Sequence, residues 1–152
     1  EQPARRHPRV DPRRPAGRPS LNEYVVDASA AILALVGTGR GSADLRGRLP
    51  RMRCHAPHLL DAEVGNVLRR HEQSGRISSE EAQEALSAIH AVVRLRYPHT
   101  GELAAAAWAL RANLTFYDAL YVALAGLLDV PLLTCDKRLS RVRRLPCHVE
   151  LV

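Results

Sequence analysis

Apolar residues fall in short blocks along the chain, separated by polar and glycine-rich turns, and the blocks alternate between two periods. Tyr24-Val25-Val26 is a compact apolar run that stops at Asp27, as a buried strand does. Ser29 is placed to cap the helix Ala30–Val36, which Gly37 and Gly39 end. Residues 42–49 form a second short helix closed by Pro50, and 52–56 a weak strand closed by Pro57. From Leu59 to Gln73 the period becomes helical: Leu60, Val64, Val67 and Leu68 share one face, and Gly75 terminates the element. Ser78-x-x-Glu81 is a capping box that opens a helix through Leu86 and Ile89.

The second half repeats the alternation. Ala91–Leu95 reads as a strand, 101–112 as a helix with Leu103, Ala106, Ala107 and Leu110 inward, and Phe116–Leu128 as a largely apolar helix. Pro131–Thr134 is a short buried strand ending near Asp136, and His148–Leu151 alternates as a last strand. Strands that alternate with helices predict an α/β domain with a mainly parallel sheet. No internal repeat is evident.

Composition narrows this picture. A chain of 152 residues suits one domain. Aromatics are only 4 % of it, so the core must be built from Ala, Leu and Val. No run of 18 apolar residues suggests a membrane span, and no apolar leader suggests secretion. Cys54, Cys135 and Cys147 are odd in number and lack a C-x-x-C, which argues against a disulfide framework and a zinc ribbon. They read as small apolar fillers, and a reducing cytoplasm is the expected setting.

Charge divides the chain. Residues 1–20 hold six Arg against Glu1 and Asp11, a net +4 of the total +6, and five of the ten prolines. Residues 1–22 are therefore expected to be a disordered Arg/Pro-rich tail and 23–152 the folded domain. The tail is either a solvated leader or a basic arm for RNA phosphates. The basic character belongs mostly to it and does not by itself make the domain a nucleic-acid binder.

Candidate chemistry comes from four acids. Asp27 and Asp136 follow predicted strands, Asp118 opens the helix at Phe116, and Glu63 lies in the first turns of the helix after the second strand. Ligands of open α/β sheets bind beyond the carboxyl ends of the strands, so these four segments can converge on one rim. Each acid also has a local role open to it. Asp27 can cap the first helix, Thr115 and Asp118 can form an approximate capping box, Glu63 can answer the helix dipole, and Asp136 can begin a turn with Lys137. Four carboxylates in one pocket repel unless protonated or neutralised by a cation. Oxygen ligands favour Mg²⁺ or Mn²⁺, and such a site suits metal-assisted phosphodiester hydrolysis. The histidines show no H-E-x-x-H, and no phosphate-binding glycine loop is present.

The segments V-V-D-A-S-A (25–30), D-A-E-V-G-N-V-L (61–68), Y-D-A-L-Y-V-A-L-A (117–125) and L-L-T-C-D-K-R-L (132–139) resemble the PIN-domain nucleases, and within them the VapC-type toxins of bacterial toxin–antitoxin pairs. The resemblance spans everything but the tail. It implies a three-layer α/β/α sandwich, Mg²⁺-dependent RNA cleavage, a VapB-type antitoxin as partner and a homodimer. It makes Asp27, Glu63, Asp118 and Asp136 the catalytic, metal-binding quartet, with Ser29 and Thr134 in support. By position, Asp27 and Asp118 are the most direct ligands, while Glu63 and Asp136 hold metal-bound waters, complete a second site or orient the attacking water. Asp61 is not required by the pattern and faces away from Glu63.

RNA would approach over Lys137, Arg138 and Arg141, with Arg143 and Arg144 beyond them. Arg69 and Arg70 read rather as solvated surface. Tyr117 and Tyr121, at helical spacing with Leu and Val, read as core, with base stacking the alternative. A PIN nuclease of RNA maturation and a non-catalytic α/β interaction module remain alternatives. A receiver domain is excluded because no Asp follows the 92–95 strand. A dehalogenase-type phosphatase is excluded because Asp27-Ala28-Ser29 is not D-x-D.

Overall fold

A computed structural model describes residues 22–152. The expected tail lies outside the described residues, apart from Asn22. Five strands form one all-parallel sheet in the order β3-β2-β1-β4-β5: β1 Glu23–Val26, β2 Arg53–Pro57, β3 Leu95–Tyr97, β4 Leu132–Thr134 and β5 Val149–Leu151. Six helices flank it: α1 Ala28–Val36, α2 Arg40–Arg48, α3 Leu59–Gln73, α4 Ser79–Val92, α5 Gly101–Ala109 and α6 Phe116–Leu128. α1 to α4 pack among themselves, while α6 lies on β1, β2 and β4 and carries α5 on its outer side. This is the expected α/β/α arrangement.

Burial explains why α6 is apolar nearly all round. Ala119 to Ala125 are seven consecutive buried residues, because the helix touches both the sheet and α5. Its alanines allow close approach, and Gly126 takes this further. A Cβ built there would lie 2.9 Å from the Pro146 ring, so only glycine fits without displacing that loop. Val25, Val26, Leu132 and Leu133 fill the sheet centre and are fully buried. Central parallel strands covered on both faces read as continuous apolar runs for this reason.

Several boundaries differ from expectation. α4 continues through Val92, and the third strand is Leu95–Tyr97 rather than 91–95. The Val92-Val93 pair has high strand propensity, but a helix already anchored by the Ser78–Glu81 capping box and buried through Ala85 and Ile89 carries on past it. The first helix is capped by Asp27, not Ser29: the Asp27 carboxylate accepts from the Ala30 amide at 2.9 Å. α5 ends at Ala109, and 110–114 form turns. Among the described residues no helix is long and apolar enough to cross a membrane. Cys54, Cys135 and Cys147 are free, and burial pushes the Cys54 and Cys147 thiols up to about 11, in keeping with inert fillers.

Candidate active site

Chain direction reverses its course across the sheet at β1. From β1 the chain moves out through β2 and β3, then returns to the other side of β1 through β4 and β5. A crevice opens at such a switch point beyond the strand carboxyl ends. Asp27 directly follows β1 there, beside the end of β4, and its amide donates to the Leu133 carbonyl at 3.2 Å.

Asp27 is buried and its carboxylate is held by three hydrogen bonds. Its Oδ1 accepts from the Ser29 hydroxyl at 2.7 Å and from the Ala30 amide, and its Oδ2 accepts a short hydrogen bond from the Thr134 hydroxyl. Thr134 in turn accepts from the Asp136 amide at 2.9 Å, and Ser29 accepts from the Cys135 amide at 2.8 Å. The two supporting hydroxyls therefore stitch the ends of β1 and β4 together and fix the Asp27 carboxylate in one orientation. Burial raises the Asp27 pKa, and the hydrogen bonds from Thr134, Ala30 and Ser29 only partly offset it.

Glu63 reaches the same crevice from α3. Its Oε2 accepts from the Tyr121 hydroxyl at 2.6 Å. Burial raises its pKa; the Tyr121 bond opposes this, and the charges of Asp27 and Asp118 add to the rise. Asp118 enters from α6. Thr115 caps that helix, accepting from the Asp118 amide at 3.2 Å while its hydroxyl donates to Asp118 Oδ2 at 2.8 Å. Capping thus occupies one carboxylate oxygen and leaves the other open. Asp136 is partly exposed and paired with Arg138 through Nη2 at 2.7 Å and Nε at 3.1 Å. Arg138 holds the Asp136 carboxyl below the usual carboxylate range.

All four acids line one cleft of about 760 Å³, together with Ser29, Asn66, Arg70, Tyr117 and Tyr121. Its donors are oxygens, which fits a hard divalent cation rather than zinc. Asp27 and Asp118 both act on Glu63, so the cleft concentrates negative charge. Among the described residues no three acidic, His or Cys side chains are already close enough to enclose an ion.

Several residues stand elsewhere than the sequence suggested. Arg70 lines the cleft, whereas Arg69 donates to Gln73 on its own helix at 3.0 Å. Lys137, Arg138 and Arg141 are exposed beside Asp136 and are not part of the cleft lining. Tyr121 is core, as its spacing implies, but also an active-site hydrogen-bond donor; Tyr117 is exposed in the cleft wall and is not core. Asp61 faces away from Glu63, as its spacing implies, and pairs with Arg96 at 2.8 and 3.0 Å. Burial would raise the Asp61 pKa, but the Arg96 hydrogen bonds and charge outweigh it and lower it. Asp61→Asn should therefore cost about 1–3 kcal/mol by weakening the partner of a nearly buried guanidinium. Its cleavage rate per folded molecule should stay unchanged, which denaturant melts and a rate assay on the same preparation would check.

The raised pKa values give a pH prediction. A carboxyl whose folded pKa is raised favours the folded state while protonated, so that contribution is present at low pH and lost as pH rises through the folded value. A cation binds the deprotonated form. If Asp27 and Glu63 hold a divalent cation such as Mg²⁺, the Tm increase it causes should be small at the ordinary carboxylate pKa and grow as pH rises through their elevated values. Thermal melts with and without Mg²⁺ across that range would show an equal increment at every pH if these acids do not hold the ion.

An all-parallel sheet with an acid-lined cleft at its switch point is the frame of a PIN domain, and the chain belongs to the PIN-domain family, whose model matches residues 24–145, and within it to the VapC group. It is 53 % identical over 132 residues to Ribonuclease VapC1 of Mycobacterium tuberculosis (strain H37Rv), covering 87 % of this chain and 99 % of that one. It is 41 % identical over 128 residues to Ribonuclease VapC9 of the same strain, covering 84 % and 97 %. The crystal structure of VapBC2 from Rickettsia felis, bound to a promoter DNA fragment, shares the fold with a TM-score of 0.64 at 14 % identity, covering 86 % of this chain and 98 % of that one.

Proposed function

We propose that the chain is the toxin of a type II toxin–antitoxin pair, an endoribonuclease that cuts RNA phosphodiester bonds with Mg²⁺ or Mn²⁺ held by Asp27, Glu63, Asp118 and Asp136. The observation that carries this reading is the meeting of four carboxylates from four separate elements in one cleft. The relatives named Ribonuclease VapC1 and VapC9 support the same activity. When bound, the cation supplies Lewis-acid activation and charge neutralisation at the phosphate.

The chain's own residues supply the positioning. Ser29, Thr134 and the Ala30 amide lock Asp27 in place, so the most buried of the four acids is set before any ligand arrives. Tyr121 holds one oxygen of Glu63, which would leave the other to hold the ion or orient the attacking water. Arg70 in the cleft wall and Arg138 at its edge are the cations that meet phosphate oxygens. Lys137 and Arg141 extend that approach. A VapB-type antitoxin is the partner this reading carries, supported by solved neighbours that are VapBC assemblies. The homodimer rests on the family resemblance alone.

Induced expression tests the toxin reading. Wild-type chain should arrest growth, Asp27→Asn should not, and co-expression of a small neighbouring gene product should restore growth. A PIN nuclease of RNA maturation would cut RNA without arresting growth, and a non-catalytic module would do neither.

A further inference from the structure

Large aromatic side chains are scarce in this chain, and three of them are exposed together at the turn that leads into α6. Trp108 is 59 % exposed, Phe116 38 % and Tyr117 61 %. Trp108 and Phe116 meet edge to face with ring centroids 6.3 Å apart. The Arg111 guanidinium lies over the Trp108 ring, 5.2 Å from its centroid. Tyr117 follows Phe116 directly and forms part of the acid cleft wall beside Asp118. Trp108 and Phe116 thus lie at the end of α6 that carries Tyr117 and Asp118 into the cleft.

Exposed aromatics are costly in water unless something covers them, and the charge around these favours a polyanion. Between Glu102 and Asp118 the chain has no acidic residue and one cation, Arg111, which is the one over the Trp108 ring. On the other side of Asp118, Arg138 lies close enough to feel its charge. An arginine over an exposed aromatic ring, next to further rings and leading to a phosphodiester-cleaving cleft, is how proteins stack unpaired bases while contacting their phosphates. A duplex does not offer its base faces in this way.

We propose that Trp108, Phe116 and Tyr117, with Arg111, form a stacking platform for unpaired RNA bases flanking the cleaved bond. This rests on the nuclease reading above. Trp108 is the chain's single tryptophan, which makes its emission a direct reporter of the platform. Full-length protein in EDTA should be titrated with an unstructured 12-nucleotide RNA carrying 2′-O-methyl riboses, and with the same RNA annealed to its complement. The single strand should quench Trp108 emission and bind at least about fivefold more tightly to wild type than to Trp108→Ala. Trp108→Phe should keep most of the affinity, the exposed control Leu86→Ala should keep all of it, and the duplex should leave the emission unchanged.

Absence of single-strand binding, or binding without a change in emission, would overturn the platform. So would an unchanged affinity in Trp108→Ala. If that variant instead turns a dimer into a monomer in sedimentation while RNA affinity holds, the strip is covered by a second copy and the proposal fails. Cleavage of unmodified RNA by wild type in Mg²⁺, scored separately, decides the nuclease reading whatever the emission shows.

Discussion

Asp118→Asn should lower RNA cleavage by about a hundredfold to a thousandfold while leaving the fold intact. The two roles of Asp118 separate at this substitution. Its helix-capping contact runs mainly through its backbone amide, which donates to Thr115 and survives in Asn. The side-chain oxygen that accepts from the Thr115 hydroxyl is also present in the amide. What is lost is the negative charge. In the first turn of α6 that charge is worth only about 0.3–1 kcal/mol to stability. As a cation ligand it carries far more, because an amide neither neutralises the ion nor competes for it as a carboxylate does. A melt shifted by a few degrees with cleavage nearly abolished is the expected pair of results. A large loss of stability with cleavage per folded molecule unchanged would make Asp118 a cap and nothing else.

Thr134→Val should weaken Mg²⁺ affinity or cleavage by about tenfold to a hundredfold. The shapes match, so packing inside β4 is preserved, but two hydrogen bonds disappear at once. Asp27 loses the donor on Oδ2, and the Asp136 amide loses its acceptor. Thr134 is fully buried, so about 1–3 kcal/mol of stability should go with them. Thr134→Ser, which keeps the hydroxyl, should recover most of the ion affinity. Calorimetric Mg²⁺ titration of the three proteins distinguishes this from a simple packing defect, in which Ser would be no better than Val.

Much of this arrangement is legible in the sequence where the signal is local. The bounds of α3 and α6 follow from sustained helical periodicity and from Gly75 and Thr115, and both elements run as expected, 59–73 and 116–128. Asp27, Glu63, Asp118 and Asp136 stand out because charge beside an apolar run requires a reason, and the parallel topology brings them to one cleft. The third strand is misread because Val92-Val93 has strand propensity but sits at the end of a helix fixed by its capping box. Tyr121 bonding Glu63, Arg70 entering the cleft and Arg96 pairing with Asp61 join residues on different elements. Periodicity assigns a face to each of them, and only the packing of α3 against its neighbours decides what that face meets. Tyr117 and Tyr121 show this most clearly. They share one helix and one residue type, yet the first is exposed and the second is buried at 3 %.

The central claim is that the four-carboxylate cleft cuts RNA by holding a divalent cation. The measurement that tests it most directly is the cleavage rate of an unstructured RNA by purified full-length chain, in Mg²⁺ and in EDTA, for wild type and Asp118→Asn side by side. Wild type should cut in Mg²⁺, stop in EDTA and recover when Mg²⁺ is restored in excess, and Asp118→Asn should be nearly silent throughout. Cleavage that continues undiminished in EDTA and in Asp118→Asn alike would contradict it.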